Sequence, residues 1–590
     1  MIDPWFLPRK RRANSPLLIR LTAVLLTACC GVVSAAGADR FFAVVPPSQR
    51  SDAADSQNRL ERPFINAGLR FGTEPSLSSD GIKKSDDWKV AGWDQYLRLW
   101  KEFAENPSDR TLRQYLGLPL ESKSGSLVLK ISRGRSAPRW LGWRPGTYAQ
   151  VDTPHLQIFS HASREETLNV AEDLERVYWV WTQMFYPLWD TKNQVALHLS
   201  KLSSDKSISE QLAAKPTRLR PRRKLRIVLL RDLDDYVATL GSSIPGIEQS
   251  TGFYADERRT SFFFPSDNED AAASRRHELV HQLFRECTLS QLGDQMPGEQ
   301  QGFWLIEGIA GYFESLWMGE AMATVGGWDS PRLQYARHRV FRRRQVVALD
   351  ELKQDSRAAA QTRGDLATFY AFSIAYTHAM LDGPDQSARR WVMRKLADLY
   401  RVRLDLEPPE PTENIEQYLI DFLRVDDVVV RENPPQRELS ELCLAGCSVT
   451  PDALELVPPS SRFRWLDLTG LTVQRSDLER LLSSMDNLEQ VSLESSRVGP
   501  GIGNWLTFSA NLVELDLSET ACDDSDVASL RSLQKLKTLW LTGTNVTDAS
   551  IASLAELNSL QFLDVQKTAI SKDGLRTLRA KFPRIKINGQ

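Results

Sequence analysis

The segment His277-Glu278-Leu279-Val280-His281 has residue types and a spacing that can do chemistry. Side chains four residues apart share one face of a helix, so His277 and His281 are expected to point the same way. Two imidazoles placed like this can bind one metal ion at about 2.0–2.1 Å. Glu278 would lie about 100° further round the helix, within reach of a water beside that ion. With 7 histidines in the chain, chance predicts about 0.005 such motifs, so the match is informative.

The residues around the motif predict the helix that must position it. Ser266 and Glu269 have the types and spacing of a capping box, in which each side chain bonds the backbone of the other residue. The stretch 267–286 contains neither proline nor glycine. We therefore expect one uninterrupted helix that carries both histidines.

A second predicted helix carries the third ligand that a two-histidine site needs. Glu307 lies 26 residues beyond His281, after a loop that contains a proline and a glycine. Zinc sites in enzymes usually have three protein ligands, and a carboxylate is one of the accepted types. Gly308, Ala310 and Gly311 are small enough to let this helix approach the first one closely.

Together the two segments resemble the signature of the gluzincin metallopeptidases, the thermolysin-like and aminopeptidase-like clan. That signature is H-E-x-x-H followed by E-G-x-A-x-Y-x-E on a later helix. Here the second segment reads Glu307-Gly308-Ile309-Ala310-Gly311-Tyr312-Phe313-Glu314. A looser resemblance to exported bacterial members of the clan extends over residues 155–425.

The resemblance implies an α+β zincin-like domain that hydrolyses peptide bonds with one zinc ion per chain. His277, His281 and Glu307 would hold the zinc, and Glu278 would act as the general base. Enzymes of this kind usually stabilise the oxyanion with a tyrosine or histidine from a later helix. The sequence does not choose among three candidates for that role: Tyr370, Tyr376 and His378.

The hydrogen-bond partner of a ligand histidine is less well defined. Thermolysin has an aspartate four residues after its glutamate ligand, whereas this chain has Gly311 at that position. The partner that orients the histidine must therefore come from elsewhere. Glu314 is a candidate for this supporting role, and a charge on the helix surface is an equally good interpretation.

Residues 437–590 form a repeat array. Apolar residues recur at intervals of 24, 25, 24, 24, 24 and 22 residues: Leu439, Phe463, Leu488, Leu512, Leu536, Leu560 and Phe582. Three residues later stand Leu442, Leu466, Val491, Leu515, Leu539, Leu563 and Ile585, and two further on Leu444, Leu468, Leu493, Leu517, Leu541, Val565 and Ile587. This L-x-x-L-x-L pattern resembles the leucine-rich repeat. It predicts an α/β solenoid in which each unit buries its strand only against its neighbours.

The N-terminus resembles a bacterial secretory signal. A basic run, Arg9–Arg12, precedes the uncharged stretch 21–38, which ends in Ala36-Gly37-Ala38. We expect export to the periplasm, cell envelope or medium. The segment Leu26-Thr27-Ala28-Cys29 resembles a lipobox, so Cys29 is a candidate for lipidation and a membrane anchor.

Composition excludes several other classes of protein. Hydrophobic residues make up 42% and charged residues 25% of the chain, typical of a folded soluble protein. A net charge of −2 provides no global basic field for nucleic acid.

The predicted organisation is a signal peptide at 1–38, a linker and N-terminal region of unclear structure at 39–150, a metallopeptidase domain at 151–430 and leucine-rich repeats at 437–590.

Two functional interpretations follow from these features. The first is an exported zinc metallopeptidase with a peptide or protein substrate, whose repeats bind a partner or that substrate. The second is a non-catalytic binding protein of the cell envelope, in which the repeats carry the function and the metal site is structural or a relic. The intact His-Glu-His set with Glu307 favours the enzyme, because a purely structural site has no use for a base at Glu278.

Overall fold

The computed structural model describes residues 65–66, 90–106, 108–117, 120, 131–190, 194–219, 223–244, 246–265, 269–318, 322–324, 327–328, 330–383, 385–404, 414–432, 434–435, 438–482, 484–499 and 501–589. The predicted signal segment with Cys29, and Ser266 of the predicted capping box, lie outside them. Across this described part of the chain, no helix combines the length and the apolar composition needed to cross a bilayer. The fold is mixed α/β, in two compact units.

A six-stranded mixed sheet organises the first unit, which comprises 41–326 and 349–415. Its strands, in spatial order, are β2 (Ile131–Arg133), β3 (Ala149–Asp152), β4 (Leu156–Ser160), β5 (Leu225–Leu229), β7 (Thr260–Phe263) and β6 (Gly252–Ala255). The pairs β4–β5 and β5–β7 are parallel, and the other pairs are antiparallel. A small second sheet contains β1 (Ile65–Asn66), β9 (Met322–Thr324) and β8 (Trp317–Met318).

Fourteen labelled helices belong to the described part of this unit. They are α1 (Trp93–Glu105), α2 (Arg110–Leu116), α3 (Arg164–Met184), α4 (Tyr186–Trp189), α5 (Gln194–Leu199), α6 (Ile208–Ala214), α7 (Leu233–Leu240), α8 (Glu269–Cys287), α9 (Leu289–Leu292), α10 (Phe303–Tyr312), α12 (Leu349–Gln354), α13 (Arg357–Gln361), α14 (Leu366–Asp382) and α15 (Gln386–Tyr400). Helix α3 begins with a capping box between Ser163 and Glu166. Its second half is buried almost completely, as expected of a helix at the centre of a core.

Part of the region predicted as a linker belongs to this unit. Strands β2 and β3 extend the sheet from β4. Helix α1 packs beside α3, where the Trp93 indole donates to the Gln183 carbonyl at 3.0 Å. Apolar residues at helical spacing therefore bury this segment in the first unit.

The second unit, 327–348 with 416–590, is a solenoid. Its sheet consists of seven parallel strands in chain order: β10 (Glu441–Cys443), β11 (Trp465–Asp467), β12 (Gln490–Ser492), β13 (Glu514–Asp516), β14 (Thr538–Trp540), β15 (Phe562–Asp564) and β16 (Lys586–Asn588). The helices are α11 (Pro331–Arg337), α16 (Ile415–Leu423, which begins at the unit boundary), α17 (Asp427–Glu432), α18 (Pro451–Leu454), α19 (Arg475–Leu481), α20 (Ile502–Leu506), α21 (Asp524–Leu530), α22 (Ile551–Leu554) and α23 (Lys572–Lys581). The prediction of an α/β repeat array is confirmed for these residues.

The predicted register of the seventh repeat is wrong by two residues. Leu563 pairs with Ile587, not with Ile585, so the spacing of the strands stays at 24 residues to the end. Ile585 and Ile587 are both only partly buried against the core. No further repeat covers them within the described residues, and the apolar pattern at this end therefore defines the register poorly.

Residues 327–348 are grouped with the solenoid, although the sequence predicts one continuous metallopeptidase domain over 151–430. Helix α11 runs into a π-helical turn at His338–Arg342. Gln334 accepts a hydrogen bond from the Cys443 N–H at 2.9 Å, and Arg337 donates to the Cys443 carbonyl at 3.2 Å. Polar contacts with β10 thus attach this segment to the repeats, which no local sequence pattern could indicate.

Candidate metal centre

Helix α8 carries the His-Glu-x-x-His motif through the core of the first unit. Leu279, Val280 and Phe284 are buried, which holds the helix against its neighbours. Arg276 forms an ion pair with Asp173 of α3 at 2.8 Å and donates to the Leu316 carbonyl at 2.5 Å. These contacts on one side of α8 leave His277 and His281 on the side that faces α10.

Helix α10 carries Glu307 and is buried along its whole length. The expectation that its glycines allow a close approach to α8 is wrong, because they face α14 instead. A Cβ atom on Gly308 would lie 2.1 Å from the Thr377 hydroxyl, and one on Gly311 would lie 2.1 Å from Ile374 Cδ1. Glu307 lies one turn before Gly311, so its side chain projects beside this close contact and reaches the histidines of α8.

The three predicted ligands converge. Nε2 of His277 lies 3.0 Å from Nε2 of His281 and 3.3 Å from Oε2 of Glu307. Nε2 of His281 lies 3.6 Å from Oε1 of Glu307. All the ligand atoms fall within 4.8 Å of one another.

The donor set fits a zinc ion. Glu307 is completely buried, yet neither carboxylate oxygen makes a hydrogen bond of good geometry to the described residues. A buried carboxylate without compensation is costly, and a cation bound to its oxygens would remove that cost. Two imidazole nitrogens and a carboxylate oxygen are also the ligand types of catalytic zinc sites.

Glu278 lies next to this cluster and is held by the edge of the sheet. Its Oε2 accepts a hydrogen bond from the Tyr254 N–H of β6 at 2.9 Å, and the side chain is 5% exposed. Burial raises the pKa of Glu278 to about 7, partly offset by the neighbouring His277 charge and the Tyr254 hydrogen bond. A carboxyl with such a pKa can both accept and return a proton near neutral pH.

Glu314 is bonded to the other nitrogen of a ligand histidine. Its Oε1 lies 2.8 Å from Nδ1 of His277, and both side chains are buried. Burial acts to lower the pKa of His277, but the neighbouring carboxylates of Glu307 and Glu314 outweigh it and raise the pKa well above its usual value. Burial lowers the pKa of His281 to about 3. The carboxylates of Glu307 and Glu314 lie on either side of the His277 ring, and their charge favours a cation at this site.

The three candidates for oxyanion stabilisation all lie on α14 and are buried. Nδ1 of His378 is 3.0 Å from Oδ2 of Asp382, and its ring packs on Tyr312 at 4.4 Å between centroids. The Tyr312 hydroxyl donates to the same carboxylate at 2.5 Å. Asp382 holds His378 through Nδ1, while its Nε2 makes no hydrogen bond to the described residues, so His378, Tyr370 and Tyr376 all remain candidates.

Two charged or polar residues near the cluster carry no signal in the sequence. The positive charge of Arg357, at the start of α13, acts on both His281 and Glu307. Its guanidinium lies over the Phe303 ring at 4.9 Å. Tyr400, whose pKa burial raises, stacks on Phe284 of α8 at 5.0 Å. Both lie far from the motifs in sequence, so only the packing of α13 and α15 reveals them.

Comparison with known proteins gives a short match over the site. A protein-family model described as "Protein of unknown function (DUF1570)" matches residues 271–395, the stretch that contains both histidines, Glu307 and α14. No curated protein matches the chain.

Several solved structures match about a quarter of the chain. Internalin C2 from Listeria monocytogenes str. 4b F2365 is 18% identical over 25% of this chain and 61% of its own, with a TM-score of 0.19. A leucine-rich-repeat protein from Leptospira interrogans is 19% identical over 25% of this chain and 37% of its own, with a TM-score of 0.20. Internalin F from the same Listeria strain is 20% identical over 26% and 48%, with a TM-score of 0.20. The matched region spans less than two thirds of each of these proteins.

Proposed function

We propose that this chain is an exported zinc metallopeptidase that hydrolyses peptide bonds, with leucine-rich repeats that bind a partner or the substrate. The observation that carries the proposal is the convergence of His277, His281 and Glu307 beside Glu278. Three ligands beside a base that can act on a water are the arrangement of a catalytic zinc site. The exported location rests on the basic and apolar pattern of residues 1–38.

The residues around the cluster have distinct tasks in such a reaction. His277, His281 and Glu307 would hold a zinc ion, and the chemistry that it would supply is that of a Lewis acid for the scissile carbonyl and for the attacking water. The Glu278 carboxylate takes the proton of the attacking water and passes it to the leaving amine. The Tyr254 N–H holds Glu278 in place, and Glu314 holds the His277 ring.

The position of β6 supports a peptide as the substrate. Among the described strands, β6 is at the edge of its sheet and pairs only with β7. The Tyr254 N–H donates to Glu278 rather than to β7, so this N–H points toward the open edge of the sheet. An extended peptide can add to a free strand edge through backbone hydrogen bonds. A peptide bound there would run past Glu278.

Zinc content per chain, measured by elemental analysis, tests the proposal. We expect His281→Ala to remove one zinc, while His198→Ala, outside the cluster, removes none. A wild-type protein of this kind should then cleave members of a broad peptide library. A folded protein with the same zinc content in the wild type and His281→Ala would exclude the enzyme. The alternative of a binding protein with no catalytic role would then account for the repeats.

A further inference from the structure

A second group of metal-ligating side chains lies in the solenoid unit. Nδ1 of His338 is 3.0 Å from Oδ2 of Asp467, and Sγ of Cys443 is 3.8 Å from the same oxygen. Donor atoms of all three residues fall within 4.8 Å of one another. The three side chains are at most 1% exposed.

The fold brings these residues together from three separate segments. Cys443 and Asp467 are directly paired on the neighbouring strands β10 and β11. Because side chains alternate along a strand, both point away from the buried leucines such as Leu442 and toward the opposite face. His338 begins the π-helical turn after α11, whose Gln334 and Arg337 are bonded to the backbone of β10.

We propose that His338, Cys443 and Asp467 bind a zinc ion at a second site, independent of the candidate metal centre. An imidazole nitrogen, a thiolate sulfur and a carboxylate oxygen are the three ligand types that zinc takes in proteins, at about 2.0–2.3 Å. Donors at these distances from one ion lie about 3–4 Å apart, as the separations of 3.0 and 3.8 Å do.

The carboxylate is oriented for this role by the next turn of the repeat. Oδ1 of Asp467 accepts hydrogen bonds from the Thr469 N–H at 3.1 Å and from its hydroxyl at 2.7 Å. These hydrogen bonds direct Oδ2 toward Cys443 and His338. Hydrogen bonds to the other oxygen of a carboxylate ligand commonly orient the ligand in this way. Zinc binding needs Nδ1 of His338 without its proton and releases the thiol proton of Cys443 to solvent. A fourth position would be taken by a small ligand such as water.

The consequence is structural. The ion would fix residues 327–348 to the first two strands of the solenoid, adding to the contacts of Gln334 and Arg337. Metal binding to a folded site stabilises that fold by mass action. The proposal does not depend on the peptidase activity of the first unit.

Cobalt spectroscopy distinguishes this site from the candidate metal centre, because only this one contains a cysteine. The experiment uses the full chain with Cys29 and Cys30 replaced by serine, loaded with Co²⁺. We expect a near-ultraviolet charge-transfer band from thiolate to cobalt. Cys443→Ser should abolish the band, and three control variants should retain it: Cys287→Ser, Cys447→Ser and Cys522→Ser. If Cys443→Ser fails to fold, a band that persists in all three control variants is assigned to Cys443 by elimination.

Zinc stoichiometry gives the second measurement. We expect Cys443→Ser to lose one zinc per chain relative to Cys522→Ser, whose cysteine is also buried in the solenoid. Loss of zinc in His281→Ala alone, with no cobalt–thiolate band in the loaded wild type, would overturn this proposal and leave the peptidase standing. A band and a zinc lost in Cys443→Ser, with none lost in His281→Ala, would support this site and exclude the peptidase.

Discussion

Oε1 of Glu314 lies 2.8 Å from Nδ1 of His277, on the side of the imidazole opposite its contact with Glu307. Glu314 follows the end of α10, so the helix that carries Glu307 also positions the residue that orients a histidine of α8. Glu314 therefore supplies the histidine partner that Gly311 cannot, three residues later in the chain. This carboxylate–histidine pairing is common behind metal ligands.

Glu314→Gln should weaken zinc binding by about 10–100-fold, because the amide cannot hold the His277 ring as a carboxylate does. Competition with a chelator of known affinity measures the change. Glu299→Gln, at an exposed glutamate in the preceding loop, serves as the matched control and should bind as the wild type does. Equal affinities for the two variants would show that Glu314 does not support zinc binding through His277.

Glu278→Gln should keep its zinc and lose hydrolysis, with kcat lower by about 10²–10⁴-fold, because the amide cannot accept a proton. Zinc analysis and a peptide cleavage assay on the same sample separate the two effects. Unchanged hydrolysis in this variant would mean that another group is the base. Loss of zinc together with hydrolysis would instead assign Glu278 to the binding of the metal.

Gly308→Ala should destabilise the first unit by about 1–3 kcal/mol, through overpacking. The added Cβ would lie 2.7 Å from the Ser373 carbonyl as well as close to Thr377, so α10 and α14 must separate. Urea denaturation of metal-free protein measures the loss. Gly364→Ala is the control, since nothing lies within 4 Å of its Cβ position. Equal stability of the two variants would mean that α14 moves aside without cost.

The ion pair between Asp173 and Arg276 should make stability depend on pH. Burial acts to raise the pKa of Asp173, but the Arg276 guanidinium outweighs it and holds this pKa below its usual value. A carboxyl with a lowered folded-state pKa stabilises fully above its unfolded pKa, about 4. That contribution is lost as the pH falls through the folded-state pKa.

We therefore expect the difference in Tm between the wild type and Asp173→Asn to be constant from neutral pH to about pH 5, and to shrink below about pH 4. Thermal denaturation over this range measures it, with Asp294→Asn at an exposed site as the control. A difference that stays constant at acidic pH would show that the charge of Asp173 contributes nothing.

Leu515→Ala should destabilise the solenoid by about 2–5 kcal/mol, because Leu515 is completely buried in the central strand β13. Ile587→Ala in the last strand should cost less, since its side chain is only partly buried. Hydrogen exchange of peptides from residues 438–589 measures both. Similar losses for the two variants would contradict a core that is weaker at its last repeat.

The sequence by itself determined the features that depend on local geometry. A helix places His277 and His281 on one face whatever surrounds it, because four residues make about one turn. The 24-residue period likewise defines the solenoid strands, since every unit repeats the same burial. The exception is the seventh repeat, where Ile585 rather than Ile587 continued the apolar pattern and nothing beyond it enforced the register.

Only the tertiary structure decided which distant side chains meet. The glycines of α10 turned out to contact α14, and Glu314 turned out to bond His277, because helix packing chooses the neighbours of each face. His338 and Asp467 lie 129 residues apart and meet through the docking of α11 on the repeats. Such contacts depend on how whole elements pack, and the spacing of residues within one element carries no information about that packing.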